Sequence, residues 1–155
     1  ERVVTDTSTV AWDLTTAGQA RANVVAGSIG ASQLATSFKT RTLNFIIDGG
    51  GAVITTGSKG YVVVDFAATA VSWTILAAQS GSIVVDVRRA TYATFPTTSS
   101  IAGTEKPTLT SAQKNQDTSL TTWSTIAAGD ILEFVVESVA TVTRVTVSIR
   151  LEQTA

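Results

Sequence analysis

The chain has no cysteine and no histidine among its 155 residues. Without thiols it forms no disulfide and offers no thiolate to a metal. Without imidazole it lacks the commonest metal ligand and the usual base of a nucleophilic triad. Charge is scarce as well: Asp, Glu, Lys and Arg make up 15% of the residues, against about 25% in ordinary soluble domains. The net charge is -1, and the basic side chains are scattered singly apart from Arg88-Arg89. Alternation along a strand sends that pair to opposite faces. Nucleic-acid recognition rests on a basic stripe, so no nucleic-acid partner is expected. The apolar runs fall far short of the roughly 20 residues that cross a bilayer, so no membrane insertion is expected either.

What is present is a strand-forming composition. Hydrophobic residues reach 44%, much of it Ala and Val, and Thr and Ser supply most of the polar remainder. Val and Thr are β-branched and favour extended backbone over helix. The length suits one ordinary domain. A chain this poor in charge needs its strand edges covered, and oligomerisation is one way to cover them.

The first forty residues differ from the rest. Val10 to Leu14 is a short extended segment carrying one large anchor, Trp12. Gly18 and Gly27 interrupt the residues beyond it, and Ser32 to Ala35 suffices for one helical turn. Nothing in residues 1–40 sustains an amphipathic period, so they read as an extended arm that borrows burial from neighbouring chains through Trp12, Ile29 and Leu34. Residues 41–155 read as successive strands. Leu43 to Asp48 turns at Gly49-Gly50-Gly51 into a second strand, Ala52 to Thr55. Tyr61 to Phe66 is an apolar run, and Val71, Trp73 and Ile75 share one face of the next strand. Ser80-Gly81-Ser82 then punctuates before Ile83 to Arg88. Thr91 to Gln116 is the longest irregular stretch and holds both prolines, Pro96 and Pro107. Polar loops of that length are often functional. Order returns at Leu120 to Trp123, then at Ile131 to Ser138 and Val145 to Leu151. About eight strands at spacings of roughly ten residues predict an all-β antiparallel sandwich or barrel.

No catalytic site emerges from these residues. Asp48-Gly49-Gly50-Gly51 lacks the Gly-Lys-Ser/Thr signature and following helix of a phosphate loop, and reads as a tight hairpin. Asp48, Asp65, Asp86, Asp130, Glu133 and Glu137 are the carboxylates available for glycoside hydrolysis. That chemistry needs two of them about 5–9 Å apart across a sugar-holding cleft, and a single shallow sandwich seldom has one. The expectation is a protein that is not an enzyme and takes no cofactor. Asp6, Asp13, Asp48 and Asp117 lie in loop-like stretches, but without the alternating spacing of a calcium loop, so no metal site is assigned. Among the aromatics, Trp73 sits mid-strand and reads as core. Trp123 and Tyr92 flank the long polar loop and are the candidates for an exposed glycan contact. The hydroxyl and amide groups of Ser99, Ser100, Asn115 and Gln116 have suitable donors and acceptors, and suit a subunit interface equally.

Two stretches carry a family resemblance. Thr9-Val10-Ala11-Trp12-Asp13-Leu14 followed by Gly18-Gln19-Ala20-Arg21-Ala22-Asn23, leading into Ser28 to Ala35, resembles segments of bacteriophage tail-fibre proteins. Leu43 to Gly57, Ser80 to Val87 and the Gly129-Asp130 turn resemble a β-domain common in phage structural proteins. The resemblance implies a homotrimeric component of the phage particle with a jelly-roll-like head, bound to other virion proteins, and supplies no catalytic residues to carry over. It is compatible with two roles. One is a tail-fibre or receptor-binding head whose loops touch host-surface glycan. The other is a capsid cement or decoration protein that clamps neighbouring coat subunits.

Overall fold

The computed structural model describes residues 10–13, 21–24 and 35–154. The chain divides into two compact units, residues 1–39 together with 155, and Thr40–Thr154. In the first unit, strands β1 (Val10–Asp13) and β2 (Arg21–Val24) pair antiparallel with Trp12 opposite Ala22. Thr36–Lys39 adds a single helical turn, α1. Trp12 thus stands on a paired strand, while Ile29 and Leu34 lie outside the described residues.

Thr40–Thr154 is an all-β antiparallel sandwich. Its strands are β3 (Thr40–Asp48), β4 (Gly57–Val64), β5 (Ala68–Ala90), β6 (Ser99–Ser100), β7 (Thr108–Asp117), β8 (Asp130–Ala140) and β9 (Arg144–Gln153). The register explains the architecture. Along one edge of β5, β9 pairs with Ala68 to Ala77 and β8 with Ser82 to Ala90. Along the other edge runs β7, with the short β6 beyond it. Outside β9 lies β3, and outside β8 lies β4. Every ribbon of this sheet bends at the same level, so the sheet folds over into two layers. The first holds β3, β9, the start of β5 and the end of β7. The second holds β4, β8, the end of β5, and the start of β7 with β6. Strands that pass from one layer to the other at a corner, in this order, make the sandwich jelly-roll-like.

Several local expectations change under that arrangement. The segments Val71 to Ile75 and Ile83 to Arg88 are two parts of one strand of 23 residues, and Ser80-Gly81-Ser82 is its bend. The bend is held by side chains. Ser80 Oγ donates to Ser111 O at 3.0 Å, Ser111 N donates to Ser82 Oγ at 3.0 Å, and Gln79 Nε2 donates to Thr141 O at 2.7 Å. Glycine is required at position 81, where a Cβ would lie 2.6 Å from both Thr141 Oγ1 and Val142 Cγ2. Ser111 (φ 48°) and Thr141 (φ 67°) take left-handed backbone at the same corner, a conformation that costs a non-glycine residue about 1–2 kcal/mol.

Ala52 to Thr55 is not a strand, and Gly49-Gly50-Gly51 does not close a hairpin: β3 and β4 pair with β9 and β8, never with each other. The turn instead carries the outermost ribbon round the corner, with Gly50 N donating to Asp48 Oδ1 at 2.7 Å. About a third of the expected irregular stretch is β7, whose one buried aliphatic, Leu109, leaves no alternation to read. Leu120 to Trp123 has no strand structure.

The core lies between the layers. Alternation points Leu43, Phe45 and Ile47 inward from β3, and Val145, Val147, Ile149 and Leu151 inward from β9. Leu132, Phe134 and Val136 face them from β8. The Phe45 ring stacks on Phe134 at 4.1 Å across the sandwich, and Gly60 leaves the room for it, since a Cβ there would stand 3.1 Å from Phe45 Cζ. Burying one such aromatic contributes about 2–3 kcal/mol.

Candidate functional site

The outer face of the second layer is covered over β5 and β8. After β5 the chain makes an excursion over residues 91–107 that returns across this face, and the charged residues beneath it are engaged by its side chains. Asp86 is 3% exposed. Its Oδ1 accepts from Ser100 Oγ at 2.6 Å, with Arg88 Nε at 3.6 Å and Lys106 Nζ at 3.9 Å from the carboxylate. Lys106 Nζ also donates to Glu137 Oε1 at 2.6 Å. Glu133, 7% exposed, accepts from Thr98 Oγ1 at 2.5 Å. Burial pushes the Glu133 carboxyl up, but the Ser58 and Thr98 hydroxyls, the Arg88 charge and Tyr61 together hold it below its ordinary value. A carboxylate survives burial only with such partners. At the open end of the sandwich Asp130 Oδ2 accepts from Ala127 N at 2.7 Å and lies 3.5 Å from Arg89, which also donates to Thr125 O. Arg88 and Arg89 therefore serve different carboxylates on opposite faces of β5.

Glu105 ties the far end of the excursion down. Its backbone carbonyl accepts the indole N–H of Trp73 at 2.8 Å and that of Trp123 at 3.1 Å. Its carboxylate accepts from the backbone and hydroxyl groups of Thr121 and Thr122 at 2.7 to 3.0 Å. The Thr122 amide and the Thr121 hydroxyl are the main reasons that its pKa drops from 4.5 to about 2. Sequence reasoning missed Glu105, because its partners are distant in the chain and no local motif marks them.

The near end of the excursion presents the candidate contact surface. Thr91 and Thr94 lock a compact turn through their hydroxyls, 3.1 Å apart, and Phe95 N donates to Thr91 O at 3.0 Å. The turn and the end of β5 line a depression of about 270 Å³ with Arg89, Thr91, Thr94, Thr97, Thr98 and Ser99. Beside it Tyr92 is 90% exposed, the largest exposure of any large apolar or aromatic side chain described. Phe95 meets Tyr61 of β4 edge-on at 5.0 Å, and both rings are partly exposed.

The four residues expected to touch a glycan do not form one site. Tyr92 lies where a surface contact needs it. Trp123 corrects the expectation: it is 8% exposed, with its indole N–H committed to Glu105, and it belongs to the core. Asn115 and Gln116 are exposed, but they pair with Ile75 and Thr74 in the first layer, whereas Tyr92 lies past the far end of β5. Asn115 Nδ2 is also engaged, donating to Thr108 O at 2.8 Å. Of the acids weighed for calcium, Asp48 and Asp117 accept backbone amides in turns. Among the described residues no group of three potential ligands gathers. No protein-family model, no curated protein and no solved structure matches the chain.

Proposed function

We propose that the chain is a structural protein of a phage particle, with the sandwich as a tail-fibre head that attaches to the host surface. The reading rests on the resemblance of the Trp12 and Gly49-Gly50-Gly51 segments to phage appendage proteins. The observation that carries it onto the surface is the division of labour within residues 91–107. One part ties down buried charge, and the other lifts Tyr92 and Phe95 into solvent beside a hydroxyl-lined depression. Exposed rings next to clustered hydroxyls suit the apolar face and rim of a sugar. At Glu133 the environment supports binding over hydrolysis: a glycosidase acid needs a raised pKa, and this carboxyl is held low. The arm of residues 1–40 serves assembly, as a homotrimer and with other virion proteins.

Exposed aliphatics along the outermost ribbon, Val53 at 47% and Val63 at 63%, favour a second reading, in which this edge clamps coat subunits as a cement protein. Two measurements separate the readings. Antibody labelling of intact particles should place the protein on the tail, and purified protein should block adsorption of the phage to its host. Tyr92→Ala should abolish that block while leaving the fold intact by circular dichroism. Labelling confined to the capsid, with no effect on adsorption, would establish the cement role instead.

A further inference from the structure

Among the described residues of Thr40–Thr154 nothing covers the outer face of the first layer, and the cross-strand register places its side chains in rows. Asn44, Ser148, Thr74 and Gln116 form one row across β3, β9, β5 and β7. Ile46, Thr146, Leu76 and Lys114 form the next. At the strand spacing of about 4.8 Å each row spans about 14 Å. Ile46 is 64% and Leu76 50% exposed. Leu76 separates two shallow depressions, of about 360 Å³ toward Lys114 and Gln116 and about 170 Å³ toward Arg144 and Thr146.

The charges on this face set it apart. Arg88, Arg89 and Lys106 pair with carboxylates, and Lys59 donates to Thr55 and Thr56. The side chains of Lys114, Arg144 and Arg150 make no hydrogen bond or ion pair among the described residues, are exposed, and all point to the outer face of the first layer. Arg144 and Arg150 stand about 20 Å apart along β9, with Lys114 about 10 Å to the side. The acids on the face, Asp48 and Glu152, sit at its margins opposite Arg144 and Thr40.

The geometry points to a binding surface for an extended acidic polysaccharide, a chain of sugars bearing carboxylates at intervals. This inference rests on the host-attachment reading and adds to the Tyr92 end a second contact surface, on the first layer, with a ligand class of its own. Guanidinium and ammonium groups pair with carboxylates. The row of amides and hydroxyls matches sugar hydroxyls as donor and acceptor, and Leu76 and Ile46 offer apolar contact to ring C–H groups. Nucleic acid fits less well, because the described rows of this face hold no aromatic ring for base stacking and only three unpaired cations. A second copy of the same face would bring those cations together.

The test is calorimetric titration of the full chain with polygalacturonate, with dextran as the neutral probe and a single-stranded DNA oligonucleotide as the phosphate probe. Polygalacturonate should bind and the other two should not. Affinity should fall on the order of tenfold between about 50 and about 200 mM salt. The exposed double variant Lys114→Ala/Arg150→Ala should weaken binding about tenfold, and Leu76→Ser should weaken it with the salt dependence unchanged. Equal binding of dextran, tighter binding of DNA, or no effect of the double variant would overturn the proposal. So would an oligomer that dissociates on Ile46→Asp or Leu76→Asp, because the face would then lie between copies. If polygalacturonate fails to bind while purified protein still blocks adsorption, the ligand assignment is wrong and the attachment reading stands.

Discussion

The two outer faces of the sandwich are made by the same alternation of inward and outward side chains, yet they behave as different materials. The face of the second layer lies under residues 91–107, and its buried acids, Asp86 and Glu133, are each satisfied by hydroxyls and cations. The face of the first layer has no such cover among the described residues of Thr40–Thr154, and the side chains of Lys114, Arg144 and Arg150 stand there unpaired beside neutral hydroxyls. The contrast teaches that cover, and not strand pattern, decides what a charge does here. Beneath a covering segment an unpaired charge is costly, so partners are obligatory. In the open, solvent provides what a partner would, and the charge is left for a ligand.

Five changes test how far that contrast reaches. The largest effect belongs to the corner that both layers share: Gly81→Val should destabilise by about 3 kcal/mol in denaturant unfolding, because its side chain meets backbone as well as Thr141 and Val142. Loss of the whole sandwich in one transition is expected; separate melting of the layers would show that the corner does not couple them. On the covered face, Asp86→Ala should cost about 2 kcal/mol by leaving Arg88 and the Ser100 hydroxyl without their carboxylate.

A pH series asks whether the cover is held as described. The Glu105 pKa is depressed from 4.5 to about 2 on folding, so the unfolded chain binds the proton more readily. The stabilisation it brings is fully present above about pH 4.5 and is lost as pH falls toward about 2. Tryptophan fluorescence of Trp73 and Trp123 should report the loss, and Glu105→Gln should remove this part of the acid sensitivity. A wild-type acid transition unchanged by Glu105→Gln would place the latch elsewhere. Smaller still, Ser111→Gly should stabilise by about 0.5 kcal/mol through relief of its left-handed backbone. On the bare face, Arg150→Ala should change stability by no more than about 0.5 kcal/mol. A larger loss would mean that this face carries structural contacts and the contrast with the covered one fails.

Legibility in the sequence followed the range of the interactions. The inward Trp73 and Ile75 of β5 and the inward residues of β9 could be read directly, since a period of two between a wet and a dry side is a local signal. Position 81 was readable as a break but not as a bend, because continuous pairing through it depends on β7, β8 and β9 bending with it. β7 was unreadable: it lies beside β5 by pairing backbone, and Gln, Asn, Lys and Thr on it give no apolar rhythm. Tyr92 could be picked out from its place in a polar loop. Trp123 stood in the same context and went the other way, drawn inward by the Glu105 carbonyl. The three unpaired cations were legible only as scattered charges, since their common face emerges from register.

By itself, then, the amino-acid order determined that this chain forms antiparallel strands around a Val- and Ile-rich interior, with neither thiol nor imidazole chemistry at its disposal. Those outcomes depend on composition and on neighbours two residues apart. The tertiary structure alone decided which outer face is roofed, which acids are buried with partners, which aromatic ring beside the long loop faces solvent and where the unpaired cations gather. Each of these depends on contacts between residues remote in the chain, whose free energies exist only once the sheet has folded over its corner.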